Sequence, residues 1–394
     1  MKLIHVADLH LDSKLNRHLD EKRARERRNE LLVTFQRLVE YGAEQGVEGI
    51  LIAGDLFDVA KVSATARNAV LAAMKEHPDI IFYYLRGNHD ADAFLQEVLD
   101  IEGKLPENLR LFGKEWTSHE LTGKDGTQVV ITGAEMDGEN KDKLALSLLL
   151  DQRKINIVML HGQEVETAGK RDAEVIPLRE YKNRGIDYLA LGHVHAPKLE
   201  KLDARGVYAY AGCLEGRGFD ECGPRGFYLL TLQEGQLQAD FVPFAQRVMW
   251  ELHVDVSSGI PISNAVMTTN ENTISNAVMT SNDAIACIRE ALKEKKIRPK
   301  DLVKVILTGE VDLQAEFDES YIAKYFEGSL YFVKVVDKTT ARIDYERYAK
   351  DASLKGEYIR KVKVALEAGK LSADEASGMI RMGIRLLSGE EKLS

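Results

Sequence analysis

Five short segments hold the side chains best suited to grip divalent cations: Asp8-Leu9-His10, Gly54-Asp55, Gly87-Asn88-His89-Asp90, His161-Gly162 and Gly192-His193-Val194-His195. Together they read as a two-metal phosphoesterase centre. Two cations about 3.5 to 4 Å apart need a bridging carboxylate, with neutral nitrogen and oxygen donors on both sides. Such a pair holds a phosphodiester oxygen, lowers the pKa of a bridging water and sets the hydroxide in line with the leaving oxygen. Singly, the segments say little, because an Asp-x-His after a strand is commonly an edge turn and a Gly-His-x-His is often incidental. Their combination carries the reading. Glycine beside Asp55, Asn88, His161 and His193 permits sharp turns and close backbone approach, and a further His is available for proton transfer.

Each segment follows an aliphatic or aromatic run of strand length: Leu3–Val6, Ile50–Ile52, Ile80–Leu85, Ile155–Leu160 and Tyr188–Leu191. In open α/β sheets, ligands bind beyond the carboxyl ends of the strands. Loops at those ends can gather residues scattered over nearly 190 positions of chain. The expected class is therefore α/β, with strands and helical patterns alternating from residue 1 to about 244.

At 394 residues the chain is too long for one ordinary core, and two or three domains are expected. No apolar run approaches the roughly 20 residues of a membrane span. The first strand meets Asp8 and His10 too early for a signal peptide, so a cytoplasmic protein without membrane contact is expected. Cys213, Cys222 and Cys287 are odd in number and lack zinc spacing, which points to reduced thiols. A net charge of −10 is awkward for a nucleic-acid binder, which normally carries a basic footprint.

Three segments are expected: 1–244, 245–340 and 341–394. In the second, Glu251–Val256, Leu302–Leu307 and Leu330–Val336 read as strands, and Asp283–Lys295 and Glu319–Phe326 as helices, which make a small α/β cap domain. Residues 262–268 recur as 274–280, a polar repeat too short to build a solenoid and read as a duplicated surface loop. In the third, Leu354–Ala368 is helix-compatible, Gly369 is a stop, and Ser372 with Glu375 has capping-box spacing. Ala376, Met379, Ile380, Gly383, Ile384 and Leu387 then line one helical face. This helical hairpin either packs on its own domain or docks another chain.

The order D-x-H, G-D-x-x-D, G-N-H-D, H-G, G-H-x-H resembles the calcineurin-like metallophosphoesterases over roughly residues 2–230. Within them, Val6–Leu11, Ala53–Asp58, Leu85–Asp90 and the stretch Tyr210–Cys213 through Phe219–Gly223 and Arg225-Gly226 look like the SbcD branch, nuclease subunits of DNA double-strand-break repair complexes, and its YhaO-like relatives. Cys213 stands where that branch often has Ser. The resemblance implies a two-sheet metallophosphoesterase sandwich flanked by helices. It assigns Asp8, His10, Asp55 and His195 to one ion, and Asp55, Asn88, His161 and His193 to the other, with Asp55 as the bridge. Mixed oxygen and imidazole donors suit manganese, iron or zinc, and the nuclease resemblance implies manganese.

His89, beside the ligand Asn88, is then the general acid. Asp58 is its candidate partner, as in the phosphoprotein-phosphatase cousins, against the competing role of a turn or helix-capping aspartate. His5 points away from Asp8 across its strand and reads as packed or as support for a ligand. His18, His77, His119 and His253 lie outside every motif.

The family also implies DNA as substrate, a cap domain that binds it, a homodimer, and an SbcC-type or YhaN-like coiled-coil ATPase held by the C-terminal helices. No G-x-x-x-x-G-K-[ST] occurs, so ATP dependence would come from that partner. Lys22, Arg23, Arg25, Arg27 and Arg28 form a basic helix face, read first as solvated and balanced by Glu21, Glu26 and Glu30. The leading expectation is a metal-dependent DNA nuclease, an exonuclease first, with endonuclease activity as a further option. The alternatives are a small-molecule phosphodiesterase or phosphatase on the same core, and a nonenzymatic scaffold, which the complete ligand set disfavours.

Overall fold

The computed structural model describes residues 1–15, 19–58, 61–90, 93–165, 175–257 and 278–387. His18 and most of the duplicated loop lie outside them. The chain divides into two units, Met1–Val248 and Met249–Ser394.

The first unit runs β1 (Lys2–Val6), α1 (Glu21–Glu44), β2 (Gly49–Ala53), α2 (Ala64–Glu76), β3 (Ile81–Leu85), α3 (Ala93–Glu102) and β4 (Leu109–Leu111). It continues through β5 (Thr117–Thr122), β6 (Gln128–Gly133), α4 (Lys141–Ser147), β7 (Ile155–His161), β8 (Gln163–Val165), β9 (Val175–Pro177), α5 (Leu178–Tyr181) and β10 (Tyr188–Gly192). β11 (Lys198–Lys201), β12 (Val207–Tyr210), β13 (Gly226–Gln233) and β14 (Gln236–Pro243) close it. Two six-stranded sheets result, in the orders β14-β13-β1-β2-β3-β4 and β11-β12-β10-β7-β6-β5. Strands β1 to β4 are mutually parallel, as are β6, β7, β10 and β12.

Alternation along the strands builds a mixed α/β sandwich. Ile4, Val6, Ile50, Ile52, Phe82 and Tyr84 face outward to α1, α2 and α3, where Phe35, Leu38, Val70, Met74, Phe94 and Val98 cover them. Their neighbours Leu3, Leu51, Tyr83 and Leu85 turn inward against Ile131, Ile157, Met159 and Ala190 of the other sheet. That second sheet buries its far face, including Val158, Leu160, Leu189 and Leu191, under Ala145, Leu148, Ile176 and Tyr181. Burial on both faces is why these strands read as continuous apolar runs rather than as alternating ones. His5 joins the two sheets, with Nδ1 2.8 Å from the Tyr188 hydroxyl, and burial pushes its pKa down to about 3.

The second unit holds a parallel sheet β15-β16-β18, from β15 (Met249–Asp255), β16 (Leu302–Thr308) and β18 (Phe332–Asp337). Helix α6 (Ser281–Glu294) starts at a Thr280–Asp283 capping box, and α7 (Glu319–Tyr325) at Asp318. A minor pair, β17 (Glu310–Val311) and β19 (Thr340–Ala341), and a short helix, α8 (Tyr345–Ala349), lead to the hairpin of α9 (Leu354–Glu367) and α10 (Ala373–Leu387). The Ser372–Glu375 box forms in both directions, and Gly369 takes φ +68° to end α9.

The stripe on α10 divides. Ala376, Ile380 and Ile384 are buried against Ile359 and Val362, with Leu313 and Ile343 beside them, whereas Met379, Met382, Leu386 and Leu387 are exposed. Ala341 N–H donates to Ser377 Oγ at 2.7 Å, and Arg381 donates to Thr339 Oγ1 at 3.0 Å. The hairpin is thus packed into the second unit along one row while a second apolar row stays open. No helix among the described residues is long and apolar enough to cross a membrane.

Candidate metal centre

The carboxyl ends of β1, β2, β3, β7 and β10 lie at one edge of the first unit, and their loops deliver the five motifs to one point. Main-chain pairing locks two of the loops together: Asp8 N–H donates to Gly54 O at 3.1 Å, His10 N–H to Asp55 O at 2.9 Å and Leu11 N–H to Leu56 O at 2.9 Å. Asp8, His10, Asp55 and His193 all adopt positive φ, between 43° and 95°. Backbone strain of this kind gathers at functional sites, where the surroundings over-determine it. Glycine is required at two points of close approach. A Cβ on Gly192 would stand 1.9 Å from Ala53 O, and one on Gly87 2.2 Å from Asp55 Oδ1.

Asp55 lies at the centre. Its Oδ2 is 3.4 Å from His161 Nε2 and 3.7 Å from His10 Nε2, while Oδ1 accepts from His89 N–H at 3.0 Å. His10 Nε2 faces His195 Nε2 at 3.2 Å, and His161 Nε2 is 3.0 Å from Asn88 Oδ1. His193 stands edge-on to His161 with ring centroids 5.5 Å apart, and its N–H donates to Asp8 Oδ1 at 2.9 Å. All seven expected ligands are therefore gathered. His89, half exposed at the mouth, places Nδ1 3.2 Å from Asp58 Oδ1, the same oxygen that lies 3.1 Å from His10 Nδ1.

The donor set fits a divalent pair. His161 Nδ1 lies 3.0 Å from Ala53 O and His195 Nδ1 lies 2.7 Å from Glu221 Oε1, contacts that place the Nδ1 proton against an acceptor and turn Nε2 inward. Two inward Nε2 atoms at 3.2 Å repel unless a proton or a cation lies between them. Asp8 is wholly buried, and its Oδ2 has no hydrogen-bond partner. An orphaned buried carboxylate oxygen is costly unless something positive meets it. Groups of donor atoms within ligating reach of one another are Asp8 with His10 and His195, Asp8 with Asp55 and His161, and His10 with Asp58 and His89.

The charges respond to this crowding. Burial would raise Asp55, but the hydrogen bond and charge of His161 and the charge of His10 more than offset it and hold the carboxyl well below the usual range. Burial would lower His161, yet Asp55 and then Asp8 bring it up to about 9. Asp8 is raised by burial, partly relieved by His161 and His195. For Asp58 burial is outweighed by hydrogen bonds from His10 and Ser13, and its pKa falls to about 2.

The calcineurin-like phosphoesterase profile matches residues 1–197 of the 394-residue chain. The chain belongs to that family. The similar proteins include the uncharacterized metallophosphoesterase YhaO of Bacillus subtilis, 28% identical over 64% of this chain and 62% of that protein. The DNA double-strand break repair protein Mre11 of Aeropyrum pernix is 27% identical over 67% of this chain and 66% of its own length. The SbcD subunit of the nuclease SbcCD of Escherichia coli K12 is 23% identical over 61% and 67%. The chain thus spans a little under two thirds of the length of the first two of these relatives.

Several residues that support the site carry no role in the motif reading. Asp90 accepts from Leu56, Phe57 and Gly87 N–H at 3.2, 2.9 and 3.0 Å, which ties the β2 loop to the Gly-Asn-His loop; burial raises its pKa to about 6. Glu221 orients His195, and Arg217 donates to Glu221 Oε1 at 3.0 Å. Both lie in the 210–226 stretch that the resemblance marked without assigning roles. The basic helix face is not wholly solvated: Arg27 is buried, donates to Gly216 O at 2.8 Å and pairs with Glu30 and Glu215. His119 packs on Phe112 with Nε2 3.1 Å from Leu111 O, and His253 pairs with Glu251 in the second unit.

Proposed function

We propose that this chain is a metal-dependent DNA nuclease, an exonuclease, of an SbcCD-like double-strand-break repair complex. The observation that carries the hydrolytic part is the inward convergence of His10, His161 and His195 Nε2 on Asp55 and the orphaned Asp8 oxygen. In this reading Asp8, His10, Asp55 and His195 hold one cation, and Asp55, Asn88, His161 and His193 the other. A bound divalent pair, manganese here, supplies positive charge to a phosphodiester and lowers the pKa of a water. His89 hands a proton from Nε2 to the leaving oxygen while Asp58 holds its Nδ1 edge. Glu221 and Ala53 O keep His195 and His161 turned inward.

Support for DNA as substrate comes from the nuclease and repair names of the relatives and from the second unit beyond the family core. The open row on α10, Met379, Met382, Leu386 and Leu387, is the surface we assign to a coiled-coil ATPase partner. The test is the purified chain with manganese, offered linear duplex DNA and a generic small phosphodiester side by side. Chelator-sensitive loss of duplex DNA is expected. Cleavage of the small diester with DNA untouched would favour the small-molecule phosphodiesterase. For the partner, Met382→Glu with Leu386→Glu should leave folding and small-diester hydrolysis intact, since these side chains are 65% and 56% exposed, and abolish co-purification with the ATPase.

A further inference from the structure

Arg217 belongs to no metal motif, yet its side chain spans the two carboxylates that orient the imidazoles. It sits on the loop between β12 and β13 and is only 17% exposed. Nε and Nη2 donate to Glu221 Oε1 at 3.2 and 3.0 Å, its backbone N–H donates to Glu221 Oε2 at 2.6 Å, and Nη2 lies 3.2 Å from His195 Nδ1. On its other side Nη1 lies 3.6 Å from Asp58 Oδ1. That Asp58 oxygen is the one facing both His10 and His89, and Ser13 Oγ donates to its twin Oδ2 at 2.8 Å.

The base of the Arg217 loop is fixed. Arg27 donates to Gly216 O, Thr34 Oγ1 donates to the buried Glu215 at 2.8 Å, and Arg225 donates to His195 O at 2.6 Å and to Glu221 O at 3.1 Å. A planar guanidinium on such a mount is a rigid fork rather than a roaming charge. It places positive charge beside two carboxylates, Glu221 at hydrogen-bond distance and Asp58 at 3.6 Å. His195 keeps its own 2.7 Å contact with Glu221, so the metal-binding side does not depend on Arg217 alone.

We propose that Arg217 is a positioning residue of this site: it fixes the Asp58 carboxylate and, through it, the ring of His89. The proposal rests on the phosphoesterase reading above. With the full chain loaded with manganese and a small phosphodiester as substrate, Arg217→Gln should lower kcat on the order of 10-fold to 100-fold, the scale of a misplaced reacting group. KM should stay within about twofold and metal content should not change, because on this proposal the arginine acts through Asp58 while His195 keeps its own contact with Glu221. Arg217→Lys should restore part of the rate.

The deciding measurement is the double-mutant cycle with Asp58→Asn. If Arg217 acts through Asp58, the double variant is no slower than Asp58→Asn alone. Losses that multiply in the double variant overturn the proposal. So does a raised KM with kcat preserved, which would make Arg217 a direct substrate contact. Should Arg217→Gln fail to fold by thermal unfolding, the same cycle with Arg217→Lys separates the same outcomes. A wild-type chain that cleaves neither the diester nor DNA rejects the phosphoesterase reading and this proposal with it, whereas additivity in an active enzyme rejects only the role of Arg217.

Discussion

His161 supplies a prediction whose size follows from its surroundings. In the metal-free protein Asp55 and Asp8 hold its imidazole protonated up to a pKa of about 9, against the downward pull of burial. Nδ1 already faces Ala53 O, so the acidic proton lies on Nε2, the atom that must carry a lone pair to bind a cation. Metal and proton therefore compete for one nitrogen. At pH 7 that proton is held about two pKa units too tightly, which costs binding about 3 kcal/mol at 1.36 kcal/mol per unit. Manganese affinity should rise about tenfold from pH 7 to pH 8 and level off above pH 9. Calorimetric titration at pH 7 in two buffers of different ionisation heat should detect about one proton released as the site fills. The stability of the metal-free protein has the matching sign. A histidine raised above its unfolded value contributes fully below about pH 6.5 and loses that contribution as pH climbs through 9. Affinity that stays flat between pH 7 and 8, with no proton released, would refute the Asp55–His161 coupling and the ligand role built on it.

Three further outcomes are expected. His89→Gln should keep both ions and lose turnover by roughly 100-fold, the scale for a general acid; loss of metal along with activity would make His89 a ligand instead. Asp55→Asn removes the central charge, so both ions should weaken together, and elemental analysis showing near-normal metal content would exclude the bridge. Gly192→Ala drives a methyl to 1.9 Å from Ala53 O, so the sheets must part at the site. Overpacking of this kind typically costs about 1–3 kcal/mol, and an unchanged thermal midpoint with full metal content would show that the approach is looser than described.

The strands were legible because two buried faces leave no room for polar residues, and the turn glycines and ligand motifs then marked where each strand stops. In the second unit the expected strands and helices also form, displaced by two residues or fewer at each end. What periodicity could not show is which face finds a partner. Arg27 has the spacing of a solvated basic face, yet the Glu215 loop, 188 positions away, folds over it. On α10 the apolar residues span a wider arc than α9 can cover. Tyr358 takes the space at Gly383, where a Cβ would meet its ring at 2.1 Å, and donates to Met379 O at 2.8 Å, so the 376–380–384 row is enclosed while Met379 and Leu387 are left outside. The packed reading of the hairpin therefore describes one row of α10, while the other row stays exposed.

At the candidate metal centre, the proposed ligands were legible and their supports were not, for a physical reason. A ligand must be a carboxylate, imidazole or amide at a loop tip, which restricts residue type and place at once. A support need only present a charge or a hydrogen bond at the right distance, and many residue types on many loops can do so. Asp90 illustrates the difference. It closes the Gly-Asn-His-Asp motif like a ligand, yet its carboxylate is spent on three backbone N–H groups. The bonds from Leu56 and Phe57 join the β2 and β3 loops and the one from Gly87 closes the β3 loop on itself, as the main-chain pairs from Asp8, His10 and Leu11 join the β1 and β2 loops. The left-handed backbone at Asp8, His10 and Asp55 is thus held from both sides, so the donors are set in place by the fold rather than by the cation they would bind.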